Sequence, residues 1–264
     1  MRLTVVGCSG SLPGPGSAAS CYLIEADDVE HDGSPRTWRV LLDLGSGALG
    51  PLQQHVDPAT LDAVLLTHLH PDHCLDLCGL YVLLRYGPQQ RPTRLPVWGP
   101  RRVAERMERA YDALRPGPAV GPQLATRLDL AELHDRVPVT VGPLLITPVR
   151  VNHPVPAFGF RVEHAGRVLA YTGDTDSTPA LAELCAGADL VLADSAYVEG
   201  RDTTRGIHLS GRRAAEAVVA AGGVGRLVLT HMPPWNDPAV CLAQARDVWD
   251  GPLEAARAGS TYEV

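Results

Sequence analysis

Ala63-Val64-Leu65-Leu66-Thr67-His68-Leu69-His70-Pro71-Asp72-His73 is the stretch from which the chain is best read. Its first half is an apolar run of the kind a fully buried strand uses, and it predicts a strand over 64–67. Its second half puts three imidazoles and a carboxylate into six residues directly after that strand. Packing does not call for this, because clustered imidazoles and an Asp are costly to desolvate without partners. A divalent metal does call for it: neutral imidazole nitrogen and carboxylate oxygen are ordinary zinc ligands. A strand-to-helix turn can aim His68 and His70 at one point, and the helix start then aims Asp72 and His73 at another.

Outward from this turn, strands are expected over 3–7, 21–26 and 38–44, with a polar loop over 27–36. Helices are expected over 74–86 and 101–114, and the Pro-bearing segment 115–136 reads as a surface connection. The second half predicts strands over 139–141, 144–151, 158–163 and 168–171. Then come helix 179–186, strand 189–193, helix 210–221 with Ser210 as N-cap, strand 226–230 and helix 239–257. One echo stands out: residues 63–68 and 226–231 are each an apolar strand ending in Thr-His. Two sheets, each flanked by helices, fit this order as an α/β protein, a four-layer αβ/βα sandwich. No long linker divides the chain, so residues 1–264 read as one domain.

Thirty acidic residues against 23 basic ones, every one an Arg, leave a formal charge of −7, which argues against a dedicated nucleic-acid binder. No apolar run approaches the roughly 20 residues needed to span a bilayer, so no membrane partner is expected. The first seven residues read as a strand, not a signal peptide. The six Cys then read as free thiols of a reducing cytoplasm. Cys74 and Cys78 share an apolar stretch and read as packing residues before ligands.

The hexapeptide His68–His73 resembles the H-x-H-x-D-H signature of the metallo-β-lactamase superfamily, and the family's other motifs follow in order. Asp43 in Leu42-Asp43-Leu44-Gly45 resembles its buried Asp that steadies the ligands. His153 in Asn152-His153-Pro154, Asp174 in Thr172-Gly173-Asp174-Thr175 and His231 in Thr230-His231-Met232 resemble its remaining ligands. The resemblance implies two divalent ions, zinc foremost, with manganese and iron also suited to such ligands. It assigns His68, His70 and His153 to one ion, Asp72, His73 and His231 to the other, and Asp174 as the bridge.

Within the superfamily, Phe158-Gly159-Phe160-Arg161, the Tyr171–Thr175 turn and His208 resemble the ribonuclease Z branch. So does the loop Gly7-Cys8-Ser9-Gly10-Ser11, which implies Ser9 and Ser11 as substrate contacts. Enzymes of that branch that grip tRNA carry a long basic arm between the first two of these segments. Here only ten residues, 161–170, separate Phe160 from Tyr171. The whole pattern instead resembles arm-less cyclic nucleotide phosphodiesterases of actinobacterial type. That implies a small phosphodiester substrate, expected to be 3′,5′-cyclic AMP, with Asp72 taking the proton of the attacking water and His208 protonating the leaving oxygen. Trp235, Tyr22, Trp98 and Tyr197 are candidates for stacking on the base. Relatives are often dimers. The rivals sharing these ligands are a tRNA 3′-processing endonuclease, a thioesterase or lactonase, and an iron-dependent redox enzyme.

Overall fold

The structure, a computed structural model, describes residues 1–30, 32–89, 91–111 and 123–264. The first sheet contains β1 (Arg2–Ser9), β2 (Ala18–Ala19), β3 (Cys21–Val29), β4 (Pro35–Leu42), β5 (Ala63–Leu65), β6 (Leu95–Gly99) and β7 (Leu128–Glu132). The second contains β8 (Val139–Val141), β9 (Leu144–Arg150), β10 (Phe158–His164), β11 (Arg167–Tyr171), β12 (Leu190–Asp194), β13 (Leu227–Thr230) and β14 (Leu253–Ala255). A last strand, β15 (Thr261–Glu263), returns to the first sheet. The sheets run β15-β1-β3-β4-β5-β6-β7, with β2 beside β1, and β14-β13-β12-β11-β10-β9-β8.

Alternation along the strands sorts side chains into layers. Leu42, Leu65, Leu190, Leu192 and Val228 meet in a core between the sheets. Their neighbours Leu41, Val64 and Leu66 face the other way, onto α3 (Leu77–Tyr86) and α4 (Val103–Tyr111), which follow the one-turn helices α1 (Leu49–Leu52) and α2 (Pro71–Cys74). Val191, Ala193, Leu227 and Leu229 pack under α5 (Ala180–Cys185), α6 (Gly211–Ala220) and α7 (Pro238–Arg246). These strands are apolar throughout because both faces are covered. The result is the αβ/βα sandwich.

Several elements differ from expectation. The polar loop over 27–36 is mostly hairpin, since Asp27 pairs with Thr37 and Val29 with Pro35. Its polar side chains extend the strands into solvent. Within the expected connection over 115–136, residues 128–132 form β7; residues 115–122, and residues 112–114 of the expected helix, lie outside the described residues. The expected long helix over 239–257 stops at Arg246, because Gly251-Pro252 cannot continue it, and β14 follows. Segment 71–86 breaks into Pro71–Cys74 and α3. No described helix is long and apolar enough to cross a membrane.

Strands β4, β5 and β6 are parallel, as are β11, β12 and β13. Asp43 follows β4, His68 follows β5, Asp174 follows β11, Asp194 ends β12 and His231 follows β13. Ligand sites of open α/β sheets lie at such carboxyl ends. Tyr22 and Tyr171, buried with ring centroids 4.8 Å apart, join the sheets beneath this edge.

Candidate metal centre

The turn after β5 delivers four side chains through its local geometry. His70 is extended (φ −70°, ψ 151°), and Pro71 opens the short helix that carries Asp72 and His73. His68 Nε2 lies 2.9 Å from His70 Nδ1, which is 3.3 Å from His153 Nε2. These three nitrogens form one convergent cluster; Asp72, His73, Asp174 and His231 form a second, fully buried one. Asp174 stands between them. Its carboxylate oxygens lie 3.2 Å from His73 Nε2, 3.1 Å from His231 Nε2 and 3.7 Å from His68 Nε2.

The outward nitrogens of four of these rings are held. His73 Nδ1 is 2.7 Å from Asp43, His231 Nδ1 3.1 Å from Ser20 Oγ and His68 Nδ1 3.1 Å from Thr67 Oγ1. His153 Nδ1 donates to the Ile207 carbonyl at 2.9 Å. Such partners fix ring orientation and tautomer in metal sites. Asp43 in turn accepts from Thr67 N–H (2.7 Å), Thr67 Oγ1 and Tyr171 Oη (2.9 Å). By contrast, His73 Nε2, His231 Nε2 and Asp174 Oδ1 are buried with no hydrogen-bond partner. An unsatisfied buried polar atom costs about 1–3 kcal/mol, so three pointing at one place fit a divalent cation well. Asp43 and His231 also hold left-handed backbone (φ 61° and 59°), which β-carbon-bearing residues adopt only where the surroundings enforce it.

The electrostatics follow from burial and this crowding. Burial pulls the His68 pKa well down, and pulls His70 and His153 down less. Burial opposes charge on His73 too, but the carboxylates of Asp174 and Asp43 outweigh it and hold its pKa well up. Burial would raise Asp72, yet His73 and His231 keep its carboxylate well below the usual range.

His208 joins this group through a partner that sequence reasoning missed. Its Nδ1 lies 2.9 Å from Asp194 Oδ2, and its ring stands 5.3 Å from His231 and 5.6 Å from His153. Asp194 also accepts from the N–H groups of Thr175 and Ala196, which locks it. Burial lowers the His208 pKa, but Asp194 and then Asp174 raise it to about 9. The signal for Asp194 was an apolar strand ending in a charged residue, as in the segments that precede Asp43, His68 and His231. His208 lies two residues before Ser210, which caps α6 as expected by accepting from the Arg213 N–H. Buried Arg213 on α6 clamps this segment, binding Asp176, Glu199 (2.6 Å) and the His208 carbonyl (2.9 Å).

Other expected contacts fall elsewhere. The Ser9 hydroxyl is turned inward and donates to the Leu12 carbonyl at 2.7 Å, and Ser11 is exposed in left-handed backbone. The small residues of this loop instead let it approach the site's own backbone: a β-carbon on Gly10 would sit 2.1 Å from the His231 carbonyl oxygen. Tyr22 is fully buried against Thr230 and cannot stack on a substrate, while Trp98 is partly buried against the inter-sheet core. Trp235 is 63% exposed rather than core. Tyr197, 5.2 Å from the His208 ring, is the aromatic candidate beside the site. Cys74 is core, and neither it nor Cys78 belongs to a metal-binding cluster among the described residues.

The profile of the beta-lactamase superfamily domain matches residues 38–232. The chain belongs to that superfamily. Uncharacterized protein Rv1339 of Mycobacterium tuberculosis is 39% identical, over all of this chain and 92% of its own length. A ribonuclease Z of Mycobacterium bovis is 30% identical, over 90% of this chain and 88% of its own. The crystal structure of the metallo-beta-lactamase fold protein YhfI from Bacillus subtilis superposes with a TM-score of 0.84 at 26% identity, covering 99% of this chain and 98% of that one. The chain is thus a superfamily member of the metallo-beta-lactamase fold, related to ribonuclease Z and to a probable metallo-hydrolase.

Proposed function

We propose that this protein is a metal-dependent phosphodiesterase that hydrolyses a small cyclic nucleotide, with 3′,5′-cyclic AMP as the first candidate. The observation that carries the choice is the β10–β11 hairpin. His164 pairs with Arg167 across a two-residue turn, Ala165-Gly166, with both turn residues at positive φ. Nothing projects there that could grip a polyanion, whose binding draws on many Lys and Arg contacts. A cyclic phosphodiester with one negative charge needs no such arm.

In this reading His68, His70 and His153 would hold one ion, Asp72, His73 and His231 the other, and Asp174 would lie between both. Zinc suits these donors best. Bound there, divalent ions would supply Lewis-acid polarisation of the phosphodiester and make a nucleophilic water available near neutral pH. Asp72 accepts the proton of that water. His208, oriented through Nδ1 by Asp194, presents Nε2 to the leaving ribose oxygen and gives it a proton. One P–O ester bond breaks, one P–O bond to water forms, and the product is a nucleoside monophosphate.

The ribonuclease Z relative supports a second reading, a tRNA 3′-processing endonuclease using the same residues. A panel separates the two. Purified protein with its metal content measured is given 2′,3′- and 3′,5′-cyclic nucleotides, a nitrophenyl diester and precursor tRNA. Turnover of a cyclic nucleotide without tRNA cleavage is expected; efficient tRNA cleavage that spares cyclic nucleotides would overturn the proposal.

A further inference from the structure

A cleft of about 520 Å³ opens directly beside His70, within the size range of small-ligand sites. Its apolar wall is Leu69, Val155 and Pro156, residues that adjoin His70 and His153 in sequence. The rest of its lining comes from α4 and the turn before it, and is rich in arginine. Two of these arginines are committed: Arg102 and Arg109 both pair with Glu105, at 2.6 and 2.8 Å. Arg101 and Arg106 also line the cleft and have no carboxylate partner among the described residues.

From this we infer that the cleft is the base-binding subsite of the proposed phosphodiesterase, taking a purine, with Arg106 as a specificity-determining residue. The inference rests on the phosphodiesterase reading and extends it to the part of the substrate that does not react. A compact anion would use the free guanidiniums and leave the apolar wall idle. A purely apolar group would use the wall and bury the guanidiniums to no purpose. A purine uses both: its flat π face suits the apolar wall and the planar guanidinium, and its N7 edge accepts hydrogen bonds from an Arg fork. Cytosine offers a donor on the corresponding edge and a smaller face, which suits the cleft less well. The cleft adjoins His70, so a cyclic nucleotide with its phosphate at the two clusters can extend its base into it.

Arg106→Ala and Arg106→Lys test this, each assayed with 3′,5′-cyclic AMP, 3′,5′-cyclic CMP and bis(p-nitrophenyl) phosphate. Wild-type protein is expected to show a lower KM for the purine than for the pyrimidine nucleotide. In Arg106→Ala the ratio of kcat/KM for cyclic AMP over the base-free diester should fall about tenfold, mainly through KM, as loss of one base-stacking contact does. Lys keeps the charge but not the planar fork, so it should restore little of the ratio. An unchanged ratio in Arg106→Ala, or full rescue by Lys, overturns the subsite while leaving the phosphodiesterase reading intact. Wild-type protein inactive on every diester overturns that reading and the subsite with it.

Discussion

Replacing Asp43 by Asn changes one oxygen to an amide nitrogen in a residue that is entirely buried. Asp43 accepts from Thr67 N–H at 2.7 Å and Tyr171 Oη at 2.9 Å, and it faces His73 Nδ1 at 2.7 Å. Asn keeps one oxygen for Thr67, so the fold should lose no more than about 2 kcal/mol, the scale of one mismatched buried hydrogen bond. The consequence for His73 is larger. An amide NH₂ facing Nδ1 makes that nitrogen an acceptor, so the ring proton moves to Nε2, the atom that points at Asp174. A protonated Nε2 has no lone pair for a metal. Metal affinity at this cluster should then fall about 10–100-fold, the usual cost of losing such a support. Asp43→Ala is the contrasting perturbation: it leaves buried donors of Thr67, Tyr171 and His73 without acceptors and should cost about 3–5 kcal/mol. At about 2–4 °C per kcal/mol, that lowers Tm by roughly 10 °C. The assay is thermal unfolding with and without chelator, together with metal stoichiometry by elemental analysis. If Asp43→Asn binds metal as tightly as wild type, the reasoning about the tether is wrong.

Four further outcomes are expected. His208→Gln or Asp194→Asn should lower kcat about 10²–10⁴-fold, as loss of a general acid does, while leaving metal content intact; undiminished turnover would remove the acid role. Gly45→Ala should lower both stability, by about 1–3 kcal/mol, and metal occupancy, because its β-carbon would sit 1.9 Å from the Asp72 carbonyl oxygen; wild-type melting and occupancy would count against that steric argument. Arg213→Ala should cost about 3–5 kcal/mol in denaturant unfolding by breaking the buried contacts to Asp176, Glu199 and the His208 carbonyl, and a negligible loss would show the clamp to be idle. Metal added back to chelated protein at 100 times its Kd should raise stability by about 2.7 kcal/mol, whereas a midpoint indifferent to metal would mean that the clusters do not bind it.

The turn at 68–73 was legible because all its chemistry is local: strand, turn and helix start are contiguous, and only metal binding reconciles such residues with burial. The apolar strands 64–67, 189–193 and 226–230 were legible because a strand covered on both faces leaves a continuous apolar run. Boundaries failed where solvent or a partner strand decides them, as in the hairpin over 27–36 and in β7, whose pairing with β6 no local pattern displays.

By itself, then, the sequence determined the layered α/β architecture, the clustering of His and Asp at one turn and the short hairpin after Phe158. It could do so because periodicity, turn chemistry and chain length act over a few neighbouring residues. Only the tertiary structure decided which residues stand behind the clustered His and Asp side chains. Asp194 acquires its role because β12 lies parallel to β13, with Asp194 opposite Thr230, which brings the end of one apolar strand beside the next. The same packing turned Tyr22 inward and brought Arg106 and Val155 into the lining of one cleft. These relations join residues far apart in the chain, and folding alone brings them within reach.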